Sequence, residues 1–508
     1  MNFSRPIRTS TAQDTGEHRI VWAVYPADRT TPVAAFERLR ATGHKAALLE
    51  SVEGPERLAR YSFVAVDPDG TLRAASASAV LTGPDGESEI LDLPPHEALR
   101  EASARRRRDQ PAAAHPDLPP FQGGWLGLFS YEWAATLEPR VTRPTRREFD
   151  LPEALFDHYP DVVAFDHSSQ TLTVLCAAPG GGSDQLAAEA RRERIAEHIG
   201  TADALAESSE LGFRLIDKEP KGLTSRAEFV AGAKRLKTAI SEGEIFQAVL
   251  SQRFEQRFEG DPFTLYRVLR LVNPAPHMFY FEADGLTLVG SSPERLVSVQ
   301  NGHIEVVPIA GTRPRGATPA EDDRLGAELC ADVKECAEHD MLVDLARNDA
   351  GRVARIGSVE VEQYRELVQF PRVQHLVSRV GAELAPGLDS LDALAAAFPA
   401  GTVSGAPKVR AMTLVAEIEG RERGAYAGAF GYLDRAGQLD VAIAIRTIVC
   451  HGGKLHVQAG AGIVFDSDPE KEFEETLHKA SALFEAARMA TSPAFQPDST
   501  LRAEAPIR

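Results

Sequence analysis

Residues 457–479 read VQAGAGIVFDSDPEKEFEETLHK, and this stretch sets the pattern of strand, turn and helix for the chain. A glycine-rich strand end, Gly460-Ala461-Gly462, passes through a polar turn into an acidic helix. Glycine lets a ligand approach the backbone closely. On the helix, Glu472, Glu475 and Lys479 are spaced three and four apart and share one face. Carboxylates crowded on a face repel unless a cation or partner offsets them. The pattern points to a hard metal ion beside an anionic substrate. Taken alone, the stretch reads first as a glycine turn ahead of an ordinary solvated helix.

A second acidic segment shifts the weight. Residues 321–348, EDDRLGAELCADVKECAEHDMLVDLARN, are expected to form one helix with Asp332, Glu335 and Glu338 in a row at i, i+3 and i+6. Leu329, Val333, Cys336, Met341, Leu342 and Leu345 supply its packing stripe. Two helices that each present carboxylates are expected to meet across a cleft. Mg²⁺ takes one or two carboxylates plus waters and substrate oxygens. No HExxH, CxxC or EF-hand pattern supports zinc or calcium.

Further strands are expected at 245–254, 287–290, 304–308, 428–433, 441–449 and 455–459, as antiparallel strands with one apolar and one polar side. Helices are expected at 226–243, 389–397, 407–418 and 469–489. Upstream, 20–66 reads strand, helix, strand; 120–133, PFQGGWLGLFSYEW, reads as a buried joint; and 161–178 reads as strands followed by a helix at 185–199. Four regions follow: a loose N-terminus (1–17), an N-terminal region (18–221), a catalytic region (222–490) and a disordered tail (491–508).

The chain has 508 residues and a formal net charge of −18, which argues against nucleic acid as a partner. The basic run 105–108 reads as a solvated helix end. Four cysteines without framework spacing fit a reducing cytoplasm. No apolar signal region or 18-residue apolar run is present, so neither secretion nor a membrane is expected.

The segments EIFQAVLSQRF, GSSPERLV, PIAGTRPRG, DVKECAEHDMLVDLARND, GTVSGAPKVRAM, YAGAFGY, AIAIRT, QAGAGIV and DPEKEFEETLHKA, in this order, resemble the chorismate-utilising enzymes. Within them the chain is most similar to the large-subunit branch of the anthranilate synthases. The resemblance implies an α+β fold of two stacked, mostly antiparallel sheets with helices packed outside. It implies chorismate as substrate, Mg²⁺ as cofactor, and a separate glutamine amidotransferase subunit as ammonia source, since no amidotransferase module is visible. By residue-wise match it implies Glu335, Glu338, Glu472 and Glu475 as the magnesium cluster. Arg446 would grip the enolpyruvyl carboxylate, with Tyr426, Gly460, Gly462, Thr312 and Lys479 around the substrate. Glu294 would be the general acid for the departing 4-hydroxyl, and His375 would move a proton around pyruvate loss. Thr402 would line the ring pocket, while Lys408 reads as surface charge. Gln247 stands where isochorismate-forming relatives carry a lysine base, and Ala310 where a lysine nucleophile serves amination at C4, so ammonia at C2 is favoured.

The segment LLESVEG, 48–54, resembles the family's tryptophan feedback site, with Glu50 and Ser51 at the ligand and Asn273, Pro274 and Met278 in the second wall. Ala275 and His277 replace the usual serine and tyrosine, which leaves inhibition open. Phe370-Pro371-Arg372 also departs from the family pattern. The alternative kept open is a 2-amino-2-deoxyisochorismate synthase, which stops before pyruvate is lost.

Overall fold

A computed structural model describes residues 6–10, 20–52, 60–109, 115–178, 183–201, 212–369 and 373–496. Apolar side chains alternate along the strands and sort them into two large sheets, of 14 and 12 strands among the described residues. Strand Ala429–Asp434 shows the rule. Phe430 and Tyr432 enter the core between the sheets, while Ala429 and Leu433 enter the core beneath the helices. The expectation of one polar side therefore fails here, because helices cover the outer faces and every residue of this strand is buried.

The first sheet carries helices Pro32–Ala41, Ser183–Gly200, Pro262–Val272 and Pro469–Ala490 on its outer face. The second carries Pro95–Asp109 and Ser390–Ala397. This is the expected α+β arrangement of two stacked sheets with helices outside. Both sheets draw strands from either side of residue 221. Ala46–Glu50 pairs with His277–Ala283 in the first, and Gly124–Phe129 pairs with Ala429–Asp434 in the second. Arg8–Thr9, expected to be loose, pairs with Val24 and Ala23, where backbone groups at the sheet edge find partners.

Two elements differ from the sequence reading in ways that matter for the site. The helix expected over 321–348 is two, Pro319–Ala331 and Val333–Gly351. Asp332 leaves helical geometry (ψ 109°) and caps the second helix, accepting from the amides of Lys334 and Glu335. It is therefore a cap and no member of a carboxylate row. The strand expected over 441–449 is also two. Leu439–Ile443 lies in the second sheet and Thr447–His451 in the first. The chain steps between sheets at Arg446, which holds a left-handed φ of 49°.

Candidate active site

Two sheet-to-sheet steps run side by side and form the centre of the site. One lies between strands Leu286–Ser292 and Arg295–Gln300 and carries Glu294. The other carries Arg446. They are tied by backbone hydrogen bonds, Ile443 N–H to Glu294 C=O at 3.0 Å and Ser291 N–H to Arg446 C=O at 3.1 Å. The Ser292 hydroxyl adds a third, donating to the Ile443 carbonyl at 2.6 Å. A non-glycine residue at positive φ costs of order 1–3 kcal/mol and persists where the surroundings over-determine it. Arg446 meets that description here.

Glu294 is half-buried, and burial pushes its carboxyl up to about 7 despite the Thr402 hydroxyl, which donates to it at 3.0 Å. Such a group is a proton donor at neutral pH. The Arg446 guanidinium stands at the cleft surface, with Asn273 Oδ1 3.5 Å away, and burial of its surroundings lowers its pKa. His375 lies on strand Val373–Glu383. Its Nδ1 is 3.0 Å from the Gly311 carbonyl and 3.1 Å from Thr312 Oγ1. A carbonyl only accepts, so this contact assigns the proton to Nδ1 and makes Nε2 the basic nitrogen. Burial lowers the His375 pKa, the Gly311 carbonyl opposes this, and the charge of Arg446 reinforces it.

Strand Lys454–Ile463 brings Gly460 against Tyr426, where a Cβ would stand 2.6 Å from the phenol oxygen. Only glycine fits. Lys479 Nζ donates to the Gly460 carbonyl at 3.0 Å and pairs with Glu475 at 2.7 Å. Gln247 begins strand Gln247–Glu259, with its amide beside Gly462. Behind this wall lies a buried network absent from the sequence reading. Arg423 pairs with Glu419 (2.8 Å), donates to the carbonyls of Val403 and Val249, and stacks under the Tyr426 ring at 5.5 Å. Lys408 belongs to a similar brace and is no surface charge. It pairs with Asp349 at 3.2 Å and reaches the Ala397 carbonyl.

The acidic residues are distributed differently. Glu335 lies beside Gly311 and accepts from Arg313 at 3.3 Å, while Glu338 is exposed on its helix. Burial raises the Glu472 carboxyl, and the neighbouring charge of Glu475 raises it further. Glu472 and Glu475 lie three residues apart on helix Pro469–Ala490, and carboxylate oxygens are the donors a hard divalent cation takes. Among the described residues, no three histidine, cysteine or acidic side chains are placed together so as to hold a metal ion. The residues thus fit Mg²⁺ in donor chemistry through the Glu472–Glu475 pair, and Glu335 and Glu338 stand on a separate helix.

A cavity of about 390 Å³ lies between the sheets, lined by Glu50, Ser51, His277, Met278 and Phe279 from the first and Tyr432 from the second. Glu50 is buried and accepts from Tyr266 (2.7 Å) and Arg270 (3.0 Å). Burial and the charge of Arg295 push His277 down to about 3, so its imidazole is neutral. Of the residues expected at this wall, Asn273 and Pro274 do not line the cavity. Asn273 ends helix Pro262–Val272 and donates to Ser291 Oγ at 3.0 Å, on the Arg446 side. Residues 53–54 of the expected ligand segment and Phe370-Pro371-Arg372 lie outside the described residues, as do 1–5, 11–17 and 497–508 of the expected termini.

Comparison with known proteins gives this arrangement a family. A model of the chorismate binding enzymes matches residues 44–485. The chain is a chorismate binding enzyme. It is 42% identical over 473 residues to anthranilate synthase component 1 of Aquifex aeolicus (strain VF5), covering 91% of this chain and 93% of that one. It is 37% identical to the component 1 protein of Bacillus subtilis (strain 168), covering 96% of each. Among solved structures, anthranilate synthase component I from Streptococcus pneumoniae superposes with a TM-score of 0.74 at 36% identity, over 84% of this chain and 92% of that one. A menaquinone-specific isochorismate synthase from Escherichia coli shares the fold at 19% identity, with a TM-score of 0.68 over 96% and 97%. Among the described residues, no helix is long and apolar enough to cross a membrane.

Proposed function

We propose that this chorismate binding enzyme is the synthase component of an anthranilate synthase. It would turn chorismate and ammonia into anthranilate, pyruvate and water. The relatives at about 40% identity over nearly the whole chain support this reading. The observation that carries the chemistry is the half-buried Glu294 carboxyl on Thr402, one sheet-step from Arg446.

Arg446 binds the enolpyruvyl carboxylate through its guanidinium fork, whose geometry suits two oxygens at once. The amides near Gly460 and Gly462 and the hydroxyls of Tyr426 and Thr312 line the remaining polar edge. Glu294 gives its proton to the 4-hydroxyl, which leaves as water. Ammonia adds at C2. Gln247 is neutral and cannot generate hydroxide, so water is a poor competitor. Ala310 offers no amine for a covalent adduct at C2. His375, with Nε2 as its basic nitrogen, accepts the C2 proton as pyruvate departs. Glu472 and Glu475, with Glu335 and Glu338, would hold Mg²⁺, which when bound neutralises the ring carboxylate and stabilises the shift of electrons from the ring.

The ammonia would come from glutamine through a separate amidotransferase subunit. The cavity at Glu50, Ser51 and Met278 would take tryptophan, with His277 as a neutral polar contact. Mass analysis of the product from chorismate, ammonia and Mg²⁺ tests the whole reading. Anthranilate with equimolar pyruvate is expected. A non-aromatic amine without pyruvate would replace it by the 2-amino-2-deoxyisochorismate reading. The chain alone is expected to use ammonia and not glutamine.

A further inference from the structure

Two cavities adjoin at a single residue. The larger lies between the sheets, with Glu50, Met278, Arg295 and Asp440 in its walls. The smaller lies at Thr402, on the helix-covered side of the second sheet, lined also by Glu294, Leu345 and Ile443. Arg295 borders both.

Neighbouring residues of an extended chain point to opposite sides. Glu294 goes to Thr402 at 3.0 Å. Arg295 goes the other way, donating to Glu305 at 2.7 Å and to Asp440 at 3.2 Å. These carboxylates stand on the two strands flanking Arg295, His303–Val306 and Leu439–Ile443. Arg379, one strand further on, pairs with Glu305 at 2.9 Å. Four alternating charges thus cross four adjacent strands. At Arg295 the pairing with Leu439–Ile443 slips, between Arg295 and Val297. A bulge of this kind re-aims the side chains beside it, and the ion pairs of Arg295 fasten it from the inter-sheet side.

We propose that Arg295 is a positioning residue: it clamps the bulge so that the Glu294 carboxyl is held toward the reacting ring, and a molecule filling the larger cavity changes turnover by shifting that clamp. The proposal rests on the reading of Glu294 as the acid. It assigns the coupling to one guanidinium shared by two cavities, so a ligand need not reach the substrate to act on it.

The test uses the full-length chain with ammonia as nitrogen source and the variants Arg295→Gln, Arg295→Lys, Asp440→Asn and Glu294→Gln. Thermal melts establish that each folds. Arg295→Gln is expected to lower kcat by about tenfold or more while KM for chorismate stays within about threefold, since the acid and not the binding surface is disturbed. Arg295→Lys restores part of kcat, and Asp440→Asn, which keeps the arginine and its Glu305 pair, gives a weaker form of the same split. With tryptophan as probe, calorimetry is expected to find binding to both wild type and Arg295→Lys, with inhibition of the variant weakened well beyond any change in binding. Wild-type kcat in Arg295→Gln overturns the clamp when Glu294→Gln is inactive. If Glu294→Gln is also fully active, the acid assignment has failed and takes the clamp with it. Inhibition that tracks binding in every variant, or no tryptophan binding to wild type, overturns the relay from the larger cavity.

Discussion

The acid assignment can be tested through the pH dependence of turnover. Burial pushes the Glu294 carboxyl up to about 7 from an ordinary 4.5. At pH 7 the group is then about half protonated, whereas an unshifted carboxyl would be protonated in only about one molecule in 300. The groups around it are Thr402, which donates to it, the adjacent Arg295, and Asp349 across the smaller cavity, itself neutralised by Lys408. The assay follows anthranilate fluorescence with ammonia from pH 6 to 9 and divides the rate by the concentration of neutral NH₃, which itself rises with pH. The corrected rate is expected to fall above pH 7, approaching tenfold per pH unit. Glu294→Gln is expected to lose between about 10² and 10⁴ in kcat and to lack that limb. Stability carries the same signature. The folded chain keeps this proton to higher pH than the unfolded chain does. The cost of ionising the site is therefore absent below about 4.5, grows up to about 7 and is constant above, reaching at most about 3 kcal/mol. Glu294→Gln should be relatively more stable at pH 8.5 than at pH 4.5. A corrected rate that is flat to pH 9, or the same limb in the glutamine variant, would refute the reasoning.

Arg446→Met is expected to raise KM for chorismate about 100-fold with little change in melting temperature, and Arg446→Lys should not rescue it, because an ammonium lacks the planar fork; steady-state kinetics decide. Glu475→Ala and Glu338→Ala should each abolish turnover, and a chelator should do the same reversibly; activity near wild type would refute the metal assignment. Gly290→Ala would place a Cβ 2.1 Å from the Phe279 ring, which stacks on Phe430 at 4.0 Å and lines the large cavity. That overpacking should cost about 1–3 kcal/mol in thermal unfolding, and calorimetry should find tryptophan binding weakened by the displaced ring.

Much of this was legible in order and type, and less in the joints. The periodicity gave strands and helices in sequence, and the motif residues Glu294, Thr402, His375 and Thr312 do meet in pairs. The break at Asp332 escaped because the apolar stripe continues across it, although Asp332 with Glu335 three residues on carries a helix-start signature. The step at Arg446 had no such sign. The run VAIAIRTIV is apolar apart from Arg446 and Thr447, and a left-handed arginine is dictated by packing between two sheets rather than by its own preference. Long-range partners were equally hidden. Lys408 looks exposed until Asp349 is brought to it, and Arg295 looks ordinary until Glu305 and Asp440 arrive from other strands.

The weaving of both sheets from distant parts of the chain also bears on how the protein is made. On the ribosome, Ala46–Glu50 and Gly124–Phe129 emerge long before the strands that cover them, which follow about 230 and 300 residues later. Until then each nascent sheet has an open edge of unpaired amides and carbonyls. Synthesis at about 5–20 residues per second keeps those edges bare for tens of seconds. A chain truncated near residue 221 would keep them bare for good. It should accumulate as chaperone-bound or aggregated material and yield no soluble half-enzyme.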